Sequence, residues 1–253
     1  MRENPLRHAF AAGRPVISGW ISMPSSYGAE IVAHAGVDAV CVDLQHGMIW
    51  FESAVAMLQA ISASPATPLA RAADTDPAMI MKLLDAGAYG IICPMVSTSD
   101  DARRFVAACR YPPAGERSFG PARGLLYGGA DYFAHADDEV LTIAMIETRA
   151  GLENAAAIAA VDGLDALFIG PNDLALALGH PPLAESDVAE VKEAITDILA
   201  AGRVANKPVG IFCSTGEAAR RRLEEGFAFV VPGNDAGQLR GAVSAAVTAA
   251  RGG

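Results

Sequence analysis

The stretch AGVDAVCVDLQH, at positions 35–46, contains the pattern that decides the fold. A glycine ends a helical segment, a short apolar run follows, and polar residues begin where that run stops. The same order of helix end, glycine and apolar run recurs in AGAYGI at 86–91 and in EGFAFV at 225–230. Glycine just after a helix is typical of turns that lead into a strand. The repeated pattern therefore predicts helices that alternate with parallel strands.

Eight short apolar runs are spaced along the chain and alternate with longer segments of helical character. These runs lack regular polar alternation, as expected for strands that are covered on both faces. The predicted strands are residues 16–21, 39–42, 68–71, 90–95, 141–146, 165–169, 209–213 and 227–231. The predicted helices are residues 30–35, 52–63, 76–87, 99–110, 151–160, 186–201, 215–225 and 235–251.

The number and spacing of these units indicate a closed barrel. Eight βα units in 253 residues match an α/β fold of the (β/α)8 TIM-barrel type in number and in length. An open, doubly wound sheet is the main alternative, but no GxGxxG sequence follows the first strand. We therefore expect a single (β/α)8 barrel domain over residues 1–253.

The composition narrows the class of protein further. A hydrophobic fraction of 52% with 19% charged residues indicates a large buried core. The net charge of −10 argues against a nucleic-acid partner or an anionic membrane surface. No apolar run approaches the ~20 residues of a membrane helix, and the N-terminus does not resemble a signal peptide. The four cysteines have no CxxC spacing, so we expect buried, reduced thiols and a cytoplasmic protein.

Five polar residues stand where apolar runs stop. They are Asp43, His46, Arg71, Glu147 and Asp173. The C-terminal ends of parallel barrel strands lie at one face, which is where TIM barrels carry their chemistry. We therefore expect these five side chains to converge on one small volume and to form an active site.

Glu147 and Asp173 follow the fifth and sixth predicted strands, which are neighbours in a barrel. Two adjacent carboxylates without a cysteine or paired histidine nearby suit an octahedral Mg²⁺ or Mn²⁺. The alternatives are that Asp173 only caps the following helix and that Glu147 forms an ion pair with Arg149 or Arg103.

His46 and Arg71 are candidates for catalysis and substrate binding. A neutral imidazole near a cation is a credible general base, and a carboxylate such as Asp43 on its other nitrogen would fix its tautomer. A partly buried arginine at a barrel mouth usually pairs with a carboxylate of the protein or of a ligand. Asp85, late in the third predicted helix, is either a surface charge or a partner of His46.

Three further features could complete the site. The backbone N–H groups of Asn172 and Asp173 could receive a ligand carboxylate, and Trp20 and Phe212 could form apolar walls or belong to the core. Residues 111–139 form an unusually long connection, which is often functional. We expect this connection to climb to the rim of the barrel or to reach a neighbouring subunit, although a plain surface excursion is the alternative.

Several motifs together resemble the class II, metal-dependent pyruvate aldolases of the HpcH/HpaI family. The resemblance spans nearly the whole chain and is specific only in combination. The motifs are SSYGAEIVAHAGVD at 25–38, VDLQHG at 42–47, RYPPAGERSFG at 110–120, MIETRAG at 145–151 and FIGPNDLALALG at 168–179. The resemblance implies a (β/α)8 barrel whose C-terminal helix is exchanged between subunits, usually in a hexamer. It also implies a divalent cation, Mg²⁺, Mn²⁺ or Co²⁺ with Zn²⁺ possible, held by Glu147 and Asp173.

The resemblance also implies a set of roles around that cation. His46 would act as a base through a metal-bound water, supported by Asp43 and Asp85. Arg71 would hold the keto oxygen of pyruvate and the developing enolate, and the amides at 172–173 would take the carboxylate. The implied reaction is reversible aldol cleavage of 4-hydroxy-2-oxo acids to an aldehyde and pyruvate or hydroxypyruvate.

Two residues depart from the family pattern, and several alternatives stay open. Gln45, a predicted substrate contact, stands where some members have glutamate, and Met145 stands where some have glutamine. A citrate-lyase-like or malyl-CoA-lyase-like enzyme, a phosphoenolpyruvate-handling barrel and a catalytically silent scaffold are the alternatives. The first of these would need a basic groove for the phosphates of coenzyme A. A class I aldolase is disfavoured because no lysine lies at the C-terminal end of a predicted strand.

Overall fold

Eight parallel strands close into a barrel in the computed structural model, which describes residues 1–252. The strands pair in sequence order, and β8 returns to pair with β1. They are β1 (Val16–Ile21), β2 (Ala39–Asp43), β3 (Thr67–Arg71), β4 (Gly90–Cys93), β5 (Leu141–Ile146), β6 (Ala166–Ile169), β7 (Val209–Cys213) and β8 (Phe229–Pro232). The predicted (β/α)8 barrel is confirmed.

Thirteen α-helices connect and surround the strands within the described residues. They are α1 (Pro5–Ala11), α2 (Ser26–Ala33), α3 (Phe51–Ser62), α4 (Pro77–Asp85), α5 (Ser99–Cys109), α6 (Ala122–Gly128), α7 (Tyr132–Glu139), α8 (Arg149–Glu153), α9 (Ala155–Ala159), α10 (Pro171–Ala177), α11 (Ala189–Val204), α12 (Gly216–Glu225) and α13 (Asp235–Ala250). The sequence did not predict α1, α6, α7 and α10. The predicted helix 151–160 is interrupted at Asn154, whose side chain donates hydrogen bonds to the carbonyl oxygens of Ser97 and Ala150.

The glycines of the repeated αβ pattern are required by the backbone. Gly87 and Gly226 both have φ = 98°, a left-handed conformation that side-chain-bearing residues rarely adopt. A Cβ atom would also lie 2.3 Å from Arg123 at the first position and 2.3 Å from Arg203 at the second. These turns return the chain from a helix to the start of the next strand.

Large side chains fill the inside of the barrel in layers. Trp20 stacks on Phe168 at 5.8 Å between ring centroids, and Phe168 packs against Phe229 at 5.3 Å. Helix α1 inserts Leu6, which is fully buried, and Phe10 below these rings and covers the N-terminal end of the barrel. Because α1 closes this end, the interior of the barrel opens at the C-terminal end. All four cysteines are buried and unpaired, as predicted.

The long connection 111–139 packs on the N-terminal face and contains its own helices, α6 and α7. Its Arg117 is fully buried, donates to Asp85 at 2.7 Å and contacts the Tyr132 hydroxyl at 3.1 Å. Arg123 donates to the carbonyl oxygen of Ala86. This corrects the expectation that the connection climbs to the rim of its own barrel, because these contacts anchor it to the end of α4 at the opposite face.

The C-terminal helix α13 projects from the barrel. Of its 16 residues only the first, Asp235, is buried. Leu239, Val243 and Val247 are spaced by four residues, so they form one stripe, and they are 54%, 54% and 41% exposed. The exchange of this helix between subunits, which the resemblance implies, stays a prediction.

No helix within residues 1–252 has both the length and the apolar character needed to span a membrane.

Candidate active site

A cavity of about 170 Å³ opens at the C-terminal end of the barrel. Four of the five polar residues predicted to converge line it, and the fifth, Glu147, lies directly behind it. The lining residues are Trp20, Asp43, His46, Arg71, Met145, Gly170, Pro171, Asn172, Asp173, Phe212 and Asn234.

The Asp43 carboxylate organises one side of this cavity. The register between β2 and β3 places Asp43 opposite Arg71. The Nε and Nη2 atoms of Arg71 donate to its two oxygens at 2.8 and 2.6 Å, and the Trp20 indole N–H donates at 3.1 Å. The backbone N–H groups of Gln45 and His46 donate to Oδ1 at 3.1 and 3.2 Å. This one carboxylate therefore fixes a strand end, an aromatic wall and the following loop.

These contacts also keep Asp43 ionised. Burial alone would raise the pKa of this carboxyl group, but the hydrogen bonds and charge of Arg71 outweigh burial, and its pKa lies below the ordinary value. A buried aspartate and a buried arginine thus compensate each other's charge.

Arg71 retains one donor that the protein does not use fully. Two of its nitrogens are engaged by Asp43, while Nη1 has only the sulfur of Met145, at 3.9 Å. The guanidinium group also lies over the Trp20 ring, 5.0 Å from its centroid. A planar arginine held on one edge in this way presents its other edge to the cavity, where it can bind an anionic oxygen.

Glu147 is a buried acid with one unsatisfied oxygen. It is 1% exposed; its Oε1 accepts the N–H of Met95 at 2.9 Å, and its buried Oε2 has no partner among residues 1–252. The pKa of Glu147 is raised to about 7, mainly by burial and also by the nearby Asp173 carboxylate, while the hydrogen bond from the Met95 N–H acts in the opposite direction. The β4 strand ends early, at Cys93, and Met95 turns its N–H towards this acid with φ = 59°.

The surroundings of Glu147 fit a cation. A Cβ atom at Gly170 would lie 2.2 Å from Oε2, so only glycine permits the carboxylate to reach this position. No ion pair to Glu147 occurs in the described part of the chain, and Arg103 pairs with Asp100 instead. A buried, unpaired carboxylate beside a second acid is costly unless a positive charge compensates it. The donor set of two carboxylates suits a divalent cation with oxygen ligands.

Asp173 and Asn172 lie in the first turn of α10, which begins at Pro171. Gly170 is the N-cap residue and has no side-chain hydrogen bond, so Asp173 is not the cap of this helix. Both side chains line the cavity. Their backbone N–H groups belong to the first turn, where a helix leaves its donors without intrahelical acceptors.

The loop after β2 carries His46 to the cavity without a bond between its ring and a carboxylate. The Asp43 carboxylate instead accepts hydrogen bonds from the backbone N–H of His46 and from Arg71. This corrects the expectation that Asp43 holds the imidazole ring. Gln45 does not line the cavity; its side-chain oxygen is buried and unpartnered within the described residues. The sequence could not reveal this difference, because it depends on the β2–β3 register.

Asp85 is not part of this cavity. It lies at the C-terminal end of α4, near the opposite face of the barrel, and pairs with Arg117. Burial raises the pKa of Asp85 and outweighs the effect of Arg117. Within one chain the helix direction therefore carries Asp85 away from the strand ends and from His46, and a role of Asp85 in supporting His46 stays a prediction.

The remaining wall contains two aromatic side chains and one polar residue that the sequence reading missed. Trp20 and Phe212 meet edge to face, with their ring centroids 5.9 Å apart. Asn234 follows β8 and lines the cavity between them in the order of the strands. The sequence feature that could have pointed to Asn234 is PGND at 232–235. It places an Asn-Asp pair after a strand, as GPND does at 170–173.

The fold and the cavity together define a class of protein. It is a TIM barrel whose C-terminal cavity lies beside two acids, the buried Glu147 and the half-buried Asp173, and an arginine with one free edge. The HpcH/HpaI aldolase/citrate lyase family matches residues 17–242, and the chain belongs to this family.

Two relatives with similar sequences are named as aldolases, and a solved structure has the same fold. The chain is 46% identical to a hydroxypyruvate/pyruvate aldolase of Rhizorhabdus wittichii over 98% of its length and 99% of the relative. It is 39% identical to a 4-hydroxy-2-oxo-heptane-1,7-dioate aldolase of Salmonella dublin, covering 92% and 89% of the two chains. A crystal structure of a family member from Burkholderia cenocepacia J2315 superposes with a TM-score of 0.93 at 33% identity, covering 98% and 99%. The prediction of an aldolase, a carbon–carbon lyase, is confirmed.

Proposed function

We propose that this enzyme catalyses the reversible aldol cleavage of 4-hydroxy-2-oxo acids to an aldehyde and pyruvate or hydroxypyruvate. The observation that carries this proposal is the pairing of opposite charges in one cavity. Asp173 lines this cavity with Glu147 directly behind it, and the unused edge of Arg71 faces the same cavity. A 2-oxo acid has the carboxylate and keto oxygens that would bridge the acids and the arginine. The names of the relatives support this choice of substrate.

Glu147 and Asp173 would hold a divalent cation, for which Mg²⁺, Mn²⁺ and Co²⁺ are the candidates and Zn²⁺ an alternative. The unpartnered Glu147 oxygen and the glycine beside it support this assignment. When bound, such a cation acts as a Lewis acid that polarises the keto group and favours the enolate.

Arg71 would orient the substrate and stabilise charge. Its Nη1 donates to the keto oxygen, on which negative charge grows as the carbon–carbon bond breaks, and a fixed donor of this kind favours the transition state. Asp43 prevents the guanidinium group from turning away. The N–H groups at 172–173 receive the substrate carboxylate.

His46 would move the proton. In the cleavage direction it accepts the proton of the C4 hydroxyl group, the C3–C4 bond breaks, and the electron pair of that bond passes into the enolate. The aldehyde leaves, and His46 returns the proton to C3 of the enolate to give pyruvate. In the reverse direction His46 removes a methyl proton. A positioned base contributes about 10²–10⁴-fold in rate.

The cavity offers little to the rival functions. Arg71 is the only arginine among its lining residues, so a coenzyme A phosphate would find no basic groove there. No lysine lines the cavity either. Lys207, for example, donates to the carbonyl oxygen of Val161 at the other end of the barrel. A Schiff base with pyruvate therefore has no residue to form on.

We also propose that α13 is exchanged between subunits of a homo-oligomer, a hexamer by the resemblance. Its apolar stripe at Leu239, Val243 and Val247 is exposed, and Ile17 on β1 is 40% exposed where a covering helix would lie. Light scattering after size-exclusion chromatography tests this arrangement. A Val243→Asp variant should have a lower mass than the parent protein, and a monomeric parent protein would overturn the proposal.

Exchange of the pyruvate methyl protons for deuterium, followed by NMR, tests the proposed function. Chelation with EDTA should abolish this exchange and the retro-aldol cleavage, and Mg²⁺, Mn²⁺ or Co²⁺ should restore both. Treatment with borohydride and pyruvate should leave the enzyme active. Activity that survives chelation, or inactivation by borohydride, would contradict the proposal.

Two variants separate the base from the cation ligand. His46→Ala should slow the exchange by about 10²–10⁴-fold while Mn²⁺ still binds, as measured by calorimetry. Glu147→Gln, which keeps the shape of the side chain, should lose Mn²⁺ binding as well as exchange. Equal Mn²⁺ affinity in the two variants would remove Glu147 from the metal site.

A further inference from the structure

Asn234 is a polar residue that lies between two aromatic residues of the cavity wall. In the order of the strands, Phe212 on β7 and Trp20 on β1 flank the turn after β8 that carries Asn234. All three line the cavity on the side away from Glu147. This part of the cavity is where the aldehyde half of the substrate would lie. Asn234 is therefore a single amide in an otherwise aromatic wall.

The direction of the Asn234 amide is determined by one hydrogen bond. Its Oδ1 accepts the backbone N–H of Gly237 at 2.9 Å, as the N-cap of α13. Because a backbone N–H can only donate, the oxygen must face the helix and the NH₂ group must face the other way. No acceptor for this NH₂ group is found in residues 1–252. The group is thus a hydrogen-bond donor without a protein partner at the edge of the cavity.

The turn that carries Asn234 is held rigidly. The adjacent Asp235 is 8% exposed, and its carboxylate accepts from the N–H and hydroxyl groups of Ser22 at 2.8 and 2.7 Å and from the N–H of Met23 at 3.1 Å. Gln238 donates to the carbonyl oxygen of Pro232. These bonds tie the start of α13 to the end of β1, so Asn234 is preorganised, and a ligand does not have to order it.

We infer that Asn234 is a specificity-determining residue, which donates a hydrogen bond to a hydroxyl group of the aldehyde and selects hydroxylated over purely alkyl aldehydes. This inference rests on the proposed aldol function. An alkyl aldehyde fills the space between Trp20 and Phe212 but leaves the amide unpaired. A hydroxyl group on the aldehyde pairs with it, and a site with such a donor favours the substrate that satisfies it.

The test compares matched aldehydes in the condensation direction with pyruvate as the donor. The kcat/KM for glycolaldehyde is divided by that for acetaldehyde, in the parent protein and in two variants. Asn234→Ser keeps an N-cap acceptor for Gly237 and removes the NH₂ group, since serine caps helices about as well as asparagine. Asn234→Leu removes both. Gln59→Leu, an exposed amide on α3, is the surface control.

The ratio should fall by about threefold to thirtyfold in both Asn234 variants and stay at the parental value in the control. Comparison between variants cancels the different hydration of the two aldehydes. A ratio that changes by less than about twofold in Asn234→Ser and Asn234→Leu, while the parent protein exchanges pyruvate protons, would overturn the role of Asn234 alone. A parent protein that does not exchange pyruvate protons would overturn the aldol function and this inference together.

Discussion

The pairs Arg71–Asp43 and Arg110–Asp165 lie at opposite ends of the same barrel, and only the first of them lines a cavity. At the C-terminal end, Arg71 binds Asp43 and leaves Nη1 with a weak sulfur contact. At the N-terminal end, Arg110 binds Asp165 at 3.0 Å and also donates to the carbonyl oxygens of Val140 and Gly163 at 3.1 Å each. The two arginines are similarly buried, at 6% and 5% exposure.

The difference shows what separates a binding arginine from a structural one. Burial and a carboxylate partner are common to both, so neither property identifies the functional residue. The distinction lies in the donors that remain. Both terminal nitrogens of Arg110 donate hydrogen bonds to protein acceptors, and Asp165 also pairs with Arg7 at 2.9 Å. Arg71 keeps one nitrogen directed to a cavity and is therefore preorganised for a ligand oxygen.

The largest expected effect comes from replacing the free edge of Arg71. Arg71→Lys keeps a positive charge near Asp43 but cannot hold that carboxylate and also donate to a keto oxygen. Loss of one donor to a developing oxyanion costs about 10²–10³-fold in rate, so kcat/KM for retro-aldol cleavage should fall by that factor. Steady-state kinetics with a 4-hydroxy-2-oxo acid measures it. Arg110→Lys is the matched control at the other face and should retain the parental kcat/KM. Equal losses in both variants would mean that the change acts through the fold.

Arg110→Met should have the opposite profile, with a loss of stability and unchanged kinetics. It removes the buried partner of Asp165 and one of the two donors to each of the carbonyl oxygens of Val140 and Gly163, which keep Arg7 and Thr142 as donors. Breaking a buried pair costs about 3–5 kcal/mol, and we expect the lower end because Arg7 remains. Urea denaturation followed by circular dichroism measures the free energy of unfolding. A variant as stable as the parent protein would show that the network at the N-terminal face does not contribute to stability.

The sequence predicted the parts of this comparison that depend on local pattern. Eight apolar runs and their glycine turns were sufficient for the barrel, because buried parallel strands are nearly continuous in hydrophobicity. The polar residue after each run was sufficient to place Asp43, Arg71 and Asp173 at one face. Both inferences need only the order of residues along the chain.

The parts that failed depend on contacts between distant residues. Asp43 was expected to orient the His46 ring, but the β2–β3 register places its carboxylate opposite Arg71, to which it is hydrogen-bonded. The intrachain partner of Asp85 is Arg117, which follows 32 residues later, so the pairing of Asp85 within the chain could not be predicted either. Asn234 was overlooked because a strand followed by PGND also describes an ordinary turn and helix cap. Register and long-range pairing leave no periodic signal in a single sequence.

The smallest expected effect tests how Asp43 itself is held at the C-terminal face. Trp20→Phe removes the indole N–H that donates to Asp43 Oδ2 and keeps an aromatic ring on Phe168. A net hydrogen bond is worth about 1 kcal/mol, so kcat/KM should fall by less than about tenfold. Trp50→Phe, at a tryptophan that is 80% exposed and outside the cavity, is the matched control and should leave the kinetics unchanged. Full activity in Trp20→Phe would show that Arg71 alone keeps Asp43 in place. A loss as large as that of Arg71→Lys would mean instead that Trp20 contacts the reacting part of the substrate.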